Sequence, residues 1–169
     1  MSAYRDAGPV TVTVLPVGPA HPAFAEVVAM FDEYRGHYGQ ASRPGPTRAW
    51  LADQLTQGRL TLAAARHGDE FCGFVTTAVL PASLRLGTVW WIRDLYVAPN
   101  HRRGGVGRTL LRHVVAGARA AGALRVSLQT ESDNVPALTL YAAAGFRPVA
   151  GLDLLNLALR PNDRDDPTA

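Results

Sequence analysis

The sequence predicts a three-layer α/β (α+β) domain, in which a mixed, mostly antiparallel central sheet of about six to seven strands carries helices on both faces. Three observations lead there. Helical stripes and period-two apolar runs share the whole chain, three consecutive strand-like runs occupy its middle, and strand then alternates with helix. Hairpin signals between the central runs require antiparallel pairs, whereas a strand–helix–strand crossover requires a parallel pair, so the sheet is mixed.

In chain order, TVTVLPV (Thr11–Val17) alternates and reads as a first strand, ended by GPAHP. Phe24, Val27, Val28, Phe31 and Tyr34 then fall at helical spacing. QASRPGPTR (Gln40–Arg48) reads as a loop, and Trp50, Leu51, Gln54 and Leu55 support a short helix that stops at Gly58. RLTLAAAR (Arg59–Arg66), EFCGFVTTAVL (Glu70–Leu80) and TVWWIRDLYV (Thr88–Val97) are the three central strands. A helix follows from Gly105 to about Ala121, with Gly122 as its C-terminal cap. LRVSLQT (Leu124–Thr130) is the next strand, and NVPALTLYAAAG (Asn134–Gly145) the next helix, with Pro136 tolerated in its first turn. FRPVAGL and DLLNLALR (Phe146–Arg160) read as a closing pair of strands. The tail at 161–169, PNDRDDPTA, is polar and is expected to be disordered, which makes 1–160 a single domain.

Composition excludes several classes. Of 169 residues, 47% are hydrophobic and 18% charged, as in a folded soluble enzyme and unlike a disordered chain. No apolar run reaches the roughly 18 residues that span a bilayer, and the N-terminus lacks a signal layout, so no membrane partner and a cytoplasmic location are expected. One cysteine, Cys72, leaves no internal disulfide and agrees with a reducing compartment; in an apolar strand it reads as a small core residue. The five histidines show no metal-ligand spacing, so no metal is expected. All 17 basic residues are arginine. Between Arg93 and Arg125 seven arginines face one acidic residue, Asp94, against a net charge of +3 for the whole chain. A basic centre in an otherwise acidic body points to an anionic ligand bound in the middle. Nucleic acid is not expected to be that ligand, because neither a helix-turn-helix nor an aromatic stacking pattern accompanies the charge.

The stretch VAPNHRRGGVGRTLL (Val97–Leu111) gives the anion a place. Glycines between a strand and a helix leave backbone N–H groups unpaired at the positive end of the helix, where phosphate oxygens bind well. Arg102, Arg103 and Arg108 can add charge-assisted contacts there. A P-loop is excluded, because its lysine is absent from the chain. A dinucleotide fingerprint fits poorly, since Leu110 stands where the third glycine belongs. Arg102-x-x-Gly105-x-Gly107 after DLYVAP instead resembles the coenzyme A signature of the GNAT N-acetyltransferase superfamily. A second block agrees: Asn134, Ala137, Tyr141, Gly145 and Phe146 match that family's Asn-x-x-Ala-x-x-x-Tyr segment leading into Gly-Phe.

That resemblance implies a sheet splayed at a cofactor cleft, between one strand ending at Val97 and one ending at Thr130. Acetyl-coenzyme A would enter as co-substrate. Its pyrophosphate would lie on the loop of Arg102, Arg103, Gly104, Gly105, Val106, Gly107 and Arg108, and its pantetheine arm along the backbone of Leu95, Tyr96 and Val97. Asn134 and Ala137 complete the implied cofactor set. An acceptor amine would attack the thioester directly in a ternary complex, with the Val97 N–H as oxyanion donor and Tyr141 as the acid for the departing thiolate. Asp94 and Glu131 compete for the role of base, Asp94 slightly ahead; each could instead pair with a nearby arginine.

Phe31–Gln40 (FDEYRGHYGQ) resembles a Tyr-Arg-x-x-Tyr-Gly-Gln signature of one group of bacterial GNAT proteins. It makes Tyr34, Arg35 and Tyr38 candidates for acceptor binding, although packing within the helix explains the two tyrosines equally well. That group often continues Ser-Asp, whereas Ser42 is followed here by Arg43. Trp90 and Trp91 must point to opposite faces of their strand, and Trp90 is taken as the one lining the acceptor site. The implied function is acetyl transfer to a primary amine of a small molecule or peptide, the alternative a non-catalytic acyl-coenzyme A-binding module. A homodimer is implied by analogy alone.

Overall fold

A computed structural model describes residues 11–157 and 159; the tail expected at 161–169 lies outside the described residues. Two apolar clusters form its core, one on each side of a single sheet. The strands β1 (Val12–Pro16), β2 (Thr61–His67), β3 (Glu70–Ala82), β4 (Gly87–Val97) and β5 (Arg125–Leu128) lie side by side in chain order. All neighbours are antiparallel except β4 and β5, which run parallel through the crossover helix between them. The mixed sheet is the one expected.

Helices α1 (Phe24–His37) and α2 (Pro44–Thr56) cover one face. Phe24, Val27 and Phe31 of α1 meet Leu51 of α2 and Phe74 of β3 there. Phe24 and Phe74 are fully buried, each contributing about 1.5–3 kcal/mol of transfer free energy. Helix α3 (Val106–Ala120) covers the other face with Val106, Leu110, Leu111 and Val114, against Cys72, Val75 and Ile92. Cys72 is thus a core residue. Helix α4 (Val135–Ala143) joins that side through Leu140 and Tyr141.

Two expectations need correction. Helix α2 begins at Pro44, inside the stretch read as a loop. Pro44 and Pro46 occupy its first turn, where a missing N–H breaks no helical bond. The closing pair of strands does not form among the described residues: 146–157 carries no ladder, and Leu152, Leu154, Leu155 and Leu157 are exposed. Pro148 lacks a ladder donor, Gly151 takes a left-handed φ of 77°, and unbranched leucines beside Asp153 and Asn156 have little intrinsic strand preference. The sheet therefore ends at β5, with five strands rather than six or seven.

Two irregularities in β4 position everything that follows. Thr76 pairs with Asp94 but Thr77 pairs with Ile92, which leaves Arg93 as a bulge. Ile92 and Leu95 consequently share the α3 face, although strict alternation would separate them, while Tyr96 joins the α1 face. Secondly, β4 pairs with β5 only from Val89 to Ile92, against Arg125 to Leu128. Beyond that point β5 ends and β4 runs on to Val97 without a partner on that side, which leaves a gap beside it.

Candidate active site

The gap between β4 and β5 exposes a strip of backbone. Ala98 donates its N–H to the Cys72 carbonyl at 2.9 Å, so Val97 and Gly73 form a non-hydrogen-bonded pair. By the antiparallel alternation, Leu95 and Val97 then turn their N–H and C=O groups away from β3, into the gap. The Val97 carbonyl accepts from Arg102 Nε at 3.0 Å. Gly73 carries no side chain because a Cβ would stand 2.6 Å from the Tyr96 carbonyl oxygen.

Next to this strip lies the glycine-rich turn. Arg103 (φ 65°) and Gly105 (φ 82°) take the left-handed conformation that leads the chain into α3. The first helical bond runs from Thr109 N to Gly105 O at 3.0 Å, which leaves the amides of 106–108 without an intrahelical acceptor. They converge at the positive end of the helix, beside the exposed Gly104 and the exposed guanidinium groups of Arg103 and Arg108. At Gly107 a Cβ would meet Leu140 Cδ2 at 3.0 Å, so its absence lets α3 and α4 close together. Free amides, a left-handed turn and a missing Cβ suit this corner to a phosphate group. Asn134, read from the sequence as a cofactor contact, caps α4: its Oδ1 accepts from Ala137 N at 3.3 Å and its Nδ2 donates to Glu131 Oε2 at 3.4 Å. Tyr96 can offer a ligand in the gap only its backbone, because its side chain is buried on the α1 face and its hydroxyl donates to Glu33 at 3.2 Å.

At the mouth of the gap the structure gathers the titratable residues singled out from the sequence. Asp94 accepts a short hydrogen bond from the Thr76 hydroxyl, and the Tyr34 phenol faces the same carboxylate. Burial pushes the Asp94 carboxyl above its ordinary value, while Thr76, Arg93 and Tyr34 pull it part of the way back. The Tyr34 ring packs edge-on to Tyr38 with centroids 5.1 Å apart. Burial, and then the negative charge of Asp94, raise the Tyr34 phenol. Tyr38 is raised by burial and then by Glu131. Tyr141, half-buried on α4, is pushed up to about 12 by burial and then by Tyr38 and Glu131. These are neighbours: α1, β4, α4 and the turn after β5 each contribute. Near neutral pH the Tyr141 phenol keeps its proton and can donate it, and Asp94 offers a carboxylate to take one.

On the α1 side of Asp94 opens a cleft of about 360 Å³, walled by Phe31, Tyr34 and Trp50, with Arg35, Arg43, Pro46 and Thr47 around it. Sequence reasoning had Tyr34 and Arg35 here but missed Trp50 and Arg43. Trp50 shares the spacing of a core stripe, and Arg43 sits among prolines and glycine that read as loop. Only the 6.0 Å approach of the Trp50 ring to Phe31 shows that α2 forms a wall. Trp90 is not brought to this cleft. It lies on the opposite face, where a Cβ on Gly117 of α3 would sit 3.2 Å from its ring.

A buried carboxylate, Asp32, ties the cleft together. It accepts from Ser42 Oγ at 2.5 Å, Thr47 Oγ1 at 2.7 Å, Arg35 NH1 at 2.9 Å and the Arg43 backbone N–H at 3.1 Å. Those donors hold its carboxyl well below the usual carboxylate range, Ser42 foremost.

Comparison with known proteins agrees with this fold. The sequence profile of the acetyltransferase (GNAT) family matches residues 27–146. The uncharacterized N-acetyltransferase YhfO of Bacillus subtilis is 31% identical over 127 residues, covering 75% of this chain and 85% of that protein. Streptothricin acetyltransferase of Streptomyces lavendulae is 32% identical over 132 residues, covering 78% of this chain and 62% of its own length. A crystal structure described as a “probable acetyltransferase” superposes with a TM-score of 0.81 at 28% identity, over 88% of this chain and 98% of that one.

Proposed function

Since this chain belongs to the acetyltransferase (GNAT) family, we propose that it transfers an acetyl group from acetyl-coenzyme A to a primary amine of a small molecule or peptide, by direct attack in a ternary complex. The observation that carries this reading is the convergence of Asp94, Glu131 and Tyr141 on the unpaired backbone strip of β4. Acetyl-coenzyme A, when bound, supplies an activated acyl carbon and a thiolate leaving group. Everything else is the work of this chain.

The amides of the glycine-rich turn, with Arg103 and Arg108, fit its pyrophosphate, and the strip at Leu95 and Val97 fits an extended amide-bearing arm as an added strand would. Arg102, already donating to the Val97 carbonyl, fixes the turn against the end of β4. Asp94 accepts the proton that the acceptor ammonium must lose before its nitrogen can bond to the acyl carbon. The Val97 N–H donates to the acyl oxygen as charge develops there. As the carbon–sulfur bond breaks, the Tyr141 hydroxyl gives its proton to sulfur, and the second proton that the nitrogen sheds on becoming an amide restores the phenol. Glu131, bonded to Asn134 and close to Tyr38, is the second carboxylate at the mouth and serves as base where the acceptor reaches it more readily.

The test is free-thiol release from acetyl-coenzyme A across a panel of primary amines, with calorimetric titration of the cofactor beside it. Amine-dependent release is expected, and Tyr141→Phe should cut turnover by about a hundredfold or more while cofactor affinity holds. Undiminished turnover in that variant would reduce Tyr141 to packing. No release with any amine would remove the transferase reading.

A further inference from the structure

Resting on the proposed transferase reading, we infer that the acceptor is a compact zwitterion, an amine that also carries an anionic group, with Arg43 as the residue that selects it. The inference starts from an imbalance among the charges around the cleft. Arg35 is neutralised within the protein, since its NH1 donates to Asp32, to Thr47 Oγ1 at 3.1 Å and to the Ala41 carbonyl at 3.3 Å. Asp32 is spent in turn on four donors. Arg43 differs. Its backbone N–H is pinned to Asp32, which fixes its place on the rim, yet its guanidinium has no hydrogen-bond or ion-pair partner among the described residues. It nonetheless lines the cleft. The α2 helix begins at the next residue, so its positive end reinforces the same rim.

The cleft thus has two unlike poles. Its floor holds Asp94, the carboxylate that receives the amine's proton, under the rings of Tyr34, Phe31 and Trp50. An ammonium group is stabilised by both features, the carboxylate and the aromatic faces. Its rim holds an unpartnered, permanently charged, planar donor suited to gripping a carboxylate or phosphate by two parallel bonds. A polyamine would instead set its second ammonium against that guanidinium. The volume of about 360 Å³ stands at the low end of small-molecule sites, which favours an acceptor about the size of an amino acid. Whether the anion is carboxylate or phosphoryl does not follow from the guanidinium, which grips either, so the assay must separate them.

Thiol release from acetyl-coenzyme A would be followed with four matched acceptors: an α-amino acid, its amide, the corresponding aminophosphonate, and a diamine of similar length. The expected result is a kcat/KM about tenfold to a hundredfold higher for one anionic acceptor than for the amide or the diamine, the advantage residing in KM. The better anion identifies the natural group. Arg43→Gln should bring that ratio close to one and Arg43→Lys should preserve part of it. The thermal midpoint of both variants should match the parent, since the guanidinium bonds to nothing among the described residues. Equal or greater use of the amide or diamine overturns the zwitterion assignment and leaves the transferase standing. So does a ratio that survives Arg43→Gln. Thiol release with none of the four, although other amines support it, also overturns the assignment; silence with every amine overturns both.

Discussion

Asp94 shows at a single residue how stability and chemistry oppose each other. Its carboxyl is raised above the ordinary value of 3.8 chiefly by burial. Below the unfolded value both states are protonated and the fold pays nothing for this group. As pH rises through the raised folded value, the native state must ionise a half-buried acid, and that stability stays lost at higher pH. Asp94→Asn should therefore melt at or above the parent's temperature at pH 7, while turnover falls by about a hundredfold or more. The acidic limb of kcat/KM, with a midpoint above the usual carboxylate range, should vanish with it. A lower melting temperature would mean that the carboxylate's bonds to Thr76 and Tyr34 outweigh its burial. At this scale much was legible in the sequence. Tyr34, Tyr38 and Tyr141 were marked by position in a motif, Asp94 and Glu131 by lying at the ends of the strands that flank the cleft, and the five stand together. Trp50 and Arg43 were not, because an aromatic at core spacing and an arginine among prolines carry no sign of the partner helix. Alternation put Trp90 and Trp91 on opposite faces, but Gly117, 27 residues beyond Trp90 and in another layer, decides which face is which.

Among the elements, β4 turns on one extra residue. Arg93 has no partner on β3, and the bulge hands Asp94 and Tyr96 to the α1 face, where Thr76, Tyr34 and Glu33 receive them. Removing Arg93 would set Asp94 directly after Ile92, still on the α1 face and opposite Thr76, and would leave an unbroken ladder. The deletion should cost at most about 1 kcal/mol in denaturant unfolding, because no charged group changes face. Arg93→Ala, which keeps the residue count, should stay close to the parent. A deletion variant that loses several kcal/mol or its turnover would show that the bend of the bulge, rather than its extra residue, seats Asp94. Such a bulge leaves no mark in a string of apolar letters, nor does the point at which the parallel ladder stops. Proline misled in both directions. Pro44 and Pro46 suggested a loop where a helix tolerates them at its start, and the leucines after Pro148 suggested a ladder that does not form among the described residues.

Across the whole molecule the sheet is held unevenly. β3 is paired along both sides, whereas β5 is tied by a four-residue parallel ladder and leads into α4, which has no fully buried residue. That lip should open at low cost. Backbone amides of Val126–Leu128 are expected to exchange with deuterium faster than those of Phe74–Thr77, and acetyl-coenzyme A should slow the former selectively. Equal protection in the free protein would contradict the picture of a loosely attached lip. The other side of the molecule behaves differently. Every donor to Asp32 comes from between residues 35 and 47, and only one of them, the Arg43 amide, belongs to a residue whose side chain is free to vary. Side-chain changes at positions 43, 46 and 50 break none of those bonds. A lineage can thus trade one acceptor for another through a few codons on the rim, without endangering the fold and without touching the transfer chemistry it has inherited.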